Sequence, residues 1–343
     1  MIIKDINNKG LKEVLCVIQA EADDYSAEKI VIPDGVDIIG WDAFCNFQNL
    51  KEVIMPDSVK EIRGGAFEKC INLEKVTLSK NIKDIFGDAF KYCRSLKDIN
   101  IKDITAPKLS IGSEAFAYCH NLTEVVFPDI YTSIGDAAFF DCRGLSKVEI
   151  PKAGYIGENA FANDRNLKRI VLGKKRDKRD TVGFGNGAFS YSGIENLDLS
   201  NLAFALKEIP TQLCEDCRSL KTVTLPKEGI EIIGSSAFRR CASLVDINIP
   251  NSTTDICRSA FADCESLKSI TIPEEVEQIG DEAFFRCNEL TIVTINSDSV
   301  KFGEKVFRNC DSLKSVVIPS NVRFDSSIFD EYTSVTINMM YDR

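Results

Sequence analysis

The chain has 343 residues, 44% of them hydrophobic and 27% charged, with a formal net charge of −10 and a pI near 4.9. This composition supplies a sizeable core, and the acidic balance argues against a nucleic-acid binder, which needs a basic surface. No run approaches the ~18 apolar residues of a membrane-spanning helix. The opening MIIKDINNKGLKEV also lacks the apolar stretch of about 7–15 residues of a secretion signal. As written the chain reads as cytoplasmic; the alternative is a cell-surface or secreted protein whose export signal has been removed.

Residues 1–28 carry Leu11, Val14, Leu15, Val17 and Ile18 and are expected to form an amphipathic or strand-like N-terminal cap. From 29 to 322 one pattern recurs about twelve times with a common spacing of 23 residues. Its marks are Ala-Phe pairs ending at Phe44, Phe67, Phe90, Phe116, Phe139, Phe161, Phe189, Phe238, Phe261 and Phe284, continued by Phe307 after Val306. Three residues after most of these stands a cysteine, Cys70, Cys93, Cys119, Cys142, Cys241, Cys264, Cys287 and Cys310, and Cys217 holds the same place three residues after Cys214. Three residues further on comes a leucine, then a short alternating segment such as Val148-Glu149-Ile150-Pro151. The array loosens in the middle. Asp164 and Ser192 replace the cysteine, a long connection runs over 173–183, and Pro210 and Cys214 stand for Gly and Phe in the eighth copy. Residues 323–343 end it with a degraded copy at Ile328-Phe329 and a last strand at Val335-Thr336-Ile337.

Alternation of the Val-x-Ile type puts two side chains on one face of a strand and the middle one on the other, and proline ends the strand because it cannot donate to a ladder. Ile-Gly before the pair allows a tight or left-handed turn. Ala-Phe-x-x-Cys predicts one turn of helix or 3-10 structure with Phe and Cys inward. A 23-residue unit cannot bury its own apolar face, but stacked units can, with each buried Phe contributing about 1.5–3 kcal/mol.

Leu-x-x-Val-x-Ile-Pro followed by Ile-Gly-x-x-Ala-Phe-x-x-Cys resembles the BspA-like, or Treponema pallidum-type, leucine-rich repeats of bacteria, over about residues 29–322. The expected fold is an α/β solenoid. It is a right-handed leucine-rich-repeat superhelix with short parallel strands on one face and short helical or 3-10 turns on the other. The resemblance implies adhesion to host or microbial surface proteins, or contact between cells.

The thirteen cysteines, nine of them at the repeat position and the others Cys16, Cys45, Cys214 and Cys257, read as buried free thiols, and unpaired thiols in such number favour a reducing compartment. The C-x-x-C of Cys214 and Cys217 has no second pair at zinc spacing and no thioredoxin-like context. His120, the single histidine, reads as a polar surface residue, and Gly183-Phe184-Gly185-Asn186-Gly187 as repeat turns rather than a phosphate loop. The basic run from Lys174 to Arg179 reads as a solvated loop. No catalytic, cofactor or metal site is expected, and the chain is read as not an enzyme.

Function is expected on the outward strand residues, at Lys75, Asp98, Asn100, Glu124, Lys147, Glu149, Arg169, Asp198, Asp246 and Asn248. This face suits a protein or glycan partner, with no nucleic acid and no membrane insertion. A structural spacer or self-associating element is the alternative.

Overall fold

The computed structural model describes residues 2–6, 11–15, 26–173, 182–202, 206–329 and 335–340. Val17, Ile18, the basic run from Lys174 to Arg179 and most of the 173–183 connection lie outside them. The chain divides into two compact units, Met1–Gly173 and Lys174–Arg343. Each is a parallel-strand solenoid of the leucine-rich-repeat type with few helices.

In the first unit each turn contributes two short strands. One is the alternating segment, as in Glu52–Ile54, Lys75–Thr77 and Lys147–Ile150, and it pairs in parallel with its counterpart one turn on. The other lies just before the glycine, as in Ile38–Ile39, Glu61–Ile62 and Asp84–Ile85, and builds a second ladder in which Ile39, Ile62 and Ile85 are successive rungs. Residues Ile2–Ile6 and Leu11–Leu15 form an antiparallel hairpin, and Leu11–Leu15 joins this second ladder beside Ile38–Ile39. The second unit repeats the scheme. Asn196–Asp198, Thr222–Thr224 and Asp246–Ile247 form one outer ladder. Ser269–Ile272, Ile292–Ile295, Ser315–Pro319 and Thr336–Met340 form another.

The helical turn expected at Ala-Phe does not form, and 3-10 turns occur instead at Ile101–Asp103, Ser200–Leu202 and Ser326–Ile328. Two residues before and after Phe44, Asp42 (φ 53°) and Asn46 (φ 64°) are left-handed, and the same pair recurs as Asp88 and Tyr92 around Phe90 and as Ser236 and Arg240 around Phe238. A left-handed residue stops a right-handed helix from propagating. Each such non-glycine residue costs on the order of 1 kcal/mol. Lateral hydrogen bonds offset the strain: the N–H groups of Asp42, Phe44 and Asn46 donate to the carbonyls of Gly64, Ala66 and Glu68 at 3.1, 2.7 and 2.7 Å. The glycine before the pair has a different task from the one its sequence suggests. A Cβ at Gly112 would lie 2.4 Å from the Gly87 nitrogen, and one at Gly135 2.7 Å from the Ser113 nitrogen. Close approach of successive turns, not a left-handed φ, demands glycine there.

Between the left-handed residues the phenylalanines point inward and stack. In the first unit the rings of Phe44, Phe67, Phe90, Phe116, Phe139 and Phe161 follow one another at 5.1–5.2 Å. In the second, Phe238, Phe261, Phe284, Phe307 and Phe329 do so at 5.2–5.9 Å. The cysteine ladder runs beside this column. Cys70 Sγ donates to the Phe44 carbonyl at 3.0 Å, Cys142 Sγ to that of Phe116 at 3.1 Å, and Cys264 Sγ to that of Phe238 at 3.2 Å. Burial pushes the Cys93 and Cys264 thiols well above the ordinary cysteine range. These groups are hydrogen-bond donors sealed in a core. Their number therefore says little about the redox state of the compartment.

Candidate binding face

The outward columns read from the sequence are in-register ladders. In the first unit Lys29, Glu52, Lys75 and Asp98 are successive rungs, as are Glu124, Lys147 and Arg169. Lys29 and Glu52 head the first column, and neither is among the outward residues named from the sequence. Parallel rungs lie about 4.8 Å apart, so opposite charges on neighbouring rungs meet. Lys29 pairs with Glu52 at 2.8 Å, Lys75 with Asp98 at 3.6 Å, and Lys147 with Glu149 of its own strand at 2.8 Å. Asn100 is turned to the backbone: its Oδ1 accepts from the Leu78 N–H at 2.6 Å and its Nδ2 donates to the Leu78 carbonyl at 3.3 Å. It completes the ladder where the strand Asp98–Ile99 stops.

The second unit presents a different surface. Asn196, Thr222 and Asp246 are rungs of one column, and Asp198 stands beside Thr224 in the next. Here the face is concave, with a cleft of about 760 Å³. Val223, Leu225 and Ile247 border it, but their side chains are buried on the core side of the strands. Thr222, Thr224, Asp246 and Asn248 are exposed around it. Two departures from regular strand make the walls. On one side the chain leaves its strand at Asp198, whose Oδ1 accepts from the Ser200 N–H at 2.9 Å and starts the 3-10 turn Ser200–Leu202. On the other, Lys227 and Glu228 rise on a loop closed by Gly229, whose φ of 100° only glycine adopts readily and whose N–H donates to Ser252 Oγ at 3.0 Å. The structure thus brings Asp246 and Asn248 to one cleft and puts Asp198 at its edge. Lys75, Asp98, Asn100, Glu124, Lys147, Glu149 and Arg169 belong to the first unit.

Sequence patterning located the columns but not the cleft, because concavity depends on where strands stop. The available signals were Asp198-x-Ser200, an Asx-type start of a turn, and Gly229 after Lys227-Glu228. Hydroxyls, an amide and a carboxylate gathered in one concave site can hold and orient a ligand.

Other polar groups cluster away from this face. His120, expected at the surface, is half-buried, with Nε2 3.3 Å from Asp141 Oδ2; Arg143 donates to the same carboxylate at 3.1 Å. Ligand-type atoms of Asp42, Cys45 and Glu68 lie within 4.8 Å of one another, but the Lys69 ammonium sits 2.9 Å from Glu68. Burial first, then the charges of Glu68 and Asp42, push the Cys45 thiol up. Trp41 is 61% exposed and lies over Gly64, where a Cβ would come within 2.3 Å of its ring. Among the described residues no helix is long and apolar enough to cross a membrane.

A family profile described as "BspA type Leucine rich repeat region (6 copies)" matches residues 22–106, 101–207 and 207–336. Among solved structures, a leucine-rich repeat protein from Bacteroides ovatus is 24% identical over 99% of this chain and 98% of its own, with a TM-score of 0.54. A leucine-rich cell surface protein from Faecalibacterium prausnitzii is 26% identical over 91% of both chains, at a TM-score of 0.49. A leucine-rich repeat protein of T. pallidum is 27% identical over 55% of this chain and 85% of its own, at 0.47. No curated protein matches the chain.

Proposed function

The chain belongs to the BspA-type leucine-rich-repeat family, and from that premise we propose that it is a non-catalytic scaffold that binds a protein partner on its outward strand face. The observation that carries this reading is the cleft of the second unit, where Asp246, Asn248 and two threonines are exposed along strands whose alternate residues, Val223 and Ile247, turn into the core. A concave site with few, fixed polar groups is what recognition needs. The parallel strands Asn196–Asp198, Thr222–Thr224 and Asp246–Ile247 hold those groups on a rigid frame. In the first unit three lysine–carboxylate pairs on the face already neutralise one another, and exposed pairs of this kind hold little binding energy in reserve. The hairpin of Ile2–Ile6 and Leu11–Leu15, docked beside Ile38–Ile39, supports a capping role for residues 1–28 in this reading.

A photo-crosslinking amino acid at Thr224, with one at the exposed turn residue Arg218 as control, tests the reading in cells that make the protein. A partner is expected to crosslink from Thr224 and not from Arg218. Equal labelling from both positions would remove the face from consideration. One observation favours self-association as a second reading. Among the described residues Thr336–Met340 pairs only with Ser315–Pro319, leaving an open strand edge with Met339 49% exposed, and open edges template pairing with another chain. Crosslinks joining two copies of the chain would favour it.

A further inference from the structure

We propose that the cleft of the second unit receives an extended polypeptide segment carrying two basic side chains about four residues apart. This rests on the reading of the strand face as protein-binding and specifies its partner.

The first part of the case is charge. Of the first unit's face carboxylates, Glu52, Asp98 and Glu149 each have a lysine within 2.8–3.6 Å. Asp198 and Asp246 are exposed, and among the described residues no lysine or arginine lies within ion-pair distance of either. Lys227 and Glu228 on the loop wall are likewise without an ion-pair partner there. Asp198, Glu228 and Asp246 against Lys227 leave the cleft with a surplus of two negative charges. The surplus attracts cationic groups and repels phosphate.

The second part is spacing. Asp198 shares a rung position with Thr224, and Asp246 with Thr222. The two carboxylates are therefore two rungs apart across the strands and two residues apart along them. With rungs of ~4.8 Å and a rise of ~3.3 Å per residue, the diagonal is about 12 Å. In an extended chain, side chains on one face recur every second residue, so residues i and i+4 stand about 13 Å apart. A segment lying along this diagonal places a basic side chain at each carboxylate. The residue between them, i+2, then lies over the strand Thr222–Thr224, midway between the two carboxylates. The hydroxyls of Thr222 and Thr224 and the amide of Asn248 are left for the segment's backbone. Because the carboxylates are hydrated when free, each pair contributes modestly, and two suitably spaced pairs are needed for selectivity.

Panning a random peptide library on the full chain, with counter-selection on Thr224→Trp, which fills the cleft, tests the proposal. Peptides retained by the native chain alone are expected to show Arg or Lys at i and i+4. A synthetic peptide of that pattern, followed by fluorescence anisotropy, should bind about two- to fivefold more weakly to Asp246→Asn and weaker still to Asp198→Asn/Asp246→Asn. It should also lose affinity as salt is raised. A peptide with adjacent arginines should bind less well. Selected peptides that depend on Thr224 but carry no basic pair would overturn this inference while leaving the protein-binding reading intact. Recovery of no cleft-dependent peptide would overturn both. Binding of a neutral oligosaccharide that Asp246→Asn abolishes, with no basic peptide retained, would assign the cleft to a glycan and overturn the proposal.

Discussion

Asp164 stands at the position where nine other copies place a cysteine. It is fully buried, its Oδ1 accepts from the Cys142 N–H at 2.6 Å, and its Oδ2 has no partner. Burial pushes the carboxyl well above the usual carboxylate range, the backbone donor pulls it down only in part, and nearby Asp141 adds to the rise. The folded chain therefore keeps a proton that the unfolded chain releases near pH ~4. Stability linked to this group is complete below the unfolded value and is lost as pH rises from there through the raised folded value. Thermal melts of the native chain and of Asp164→Cys across pH should diverge, with the cysteine variant gaining its advantage as pH increases. A gap that does not change with pH would show that the residue does not titrate in this way. The replaced cysteine was legible in the sequence. That the acid would stay buried was not, because burial at this position is imposed by the turns on either side.

At the scale of the element, the outer strand and its register were readable because a period of two fixes which side chains face out. The turn after it was misread as helical. Ala-Phe-x-x-Cys has the spacing of a helical turn, and although Asp42 and Asn46 are types that tolerate a left-handed backbone, nothing in Ser236 or Arg240 announces one. The stacked neighbours impose that geometry through hydrogen bonds such as Phe44 N–H to Ala66 O at 2.7 Å. The same stacking makes the cost of a lost ring depend on its place. Phe261 is fully buried between Phe238 at 5.5 Å and Phe284 at 5.2 Å. Phe261→Ala is expected to lose about 3–5 kcal/mol by denaturant titration. Phe329 meets the column only through Phe307 at 5.9 Å, so Phe329→Ala should cost clearly less. Equal losses would deny the column its role.

For the whole molecule, the repeat made the architecture legible, since twelve copies of one pattern leave few alternatives. The candidate site was legible only as columns. Its cleft arises from a 3-10 turn and a loop that interrupt the pattern, and interruptions carry no periodic signal. Repeat arrays couple each turn to its neighbours rather than to the whole, so a single cooperative transition is not assured. This gives the tryptophan resting on Gly64 a practical meaning. Trp41 is the chain's one indole and belongs to the first unit, so its emission is a lamp lit at a single address. A denaturation curve followed by that light should part from one followed by backbone circular dichroism. An experimenter relying on fluorescence alone would watch one district of the protein and take its fate for that of the city.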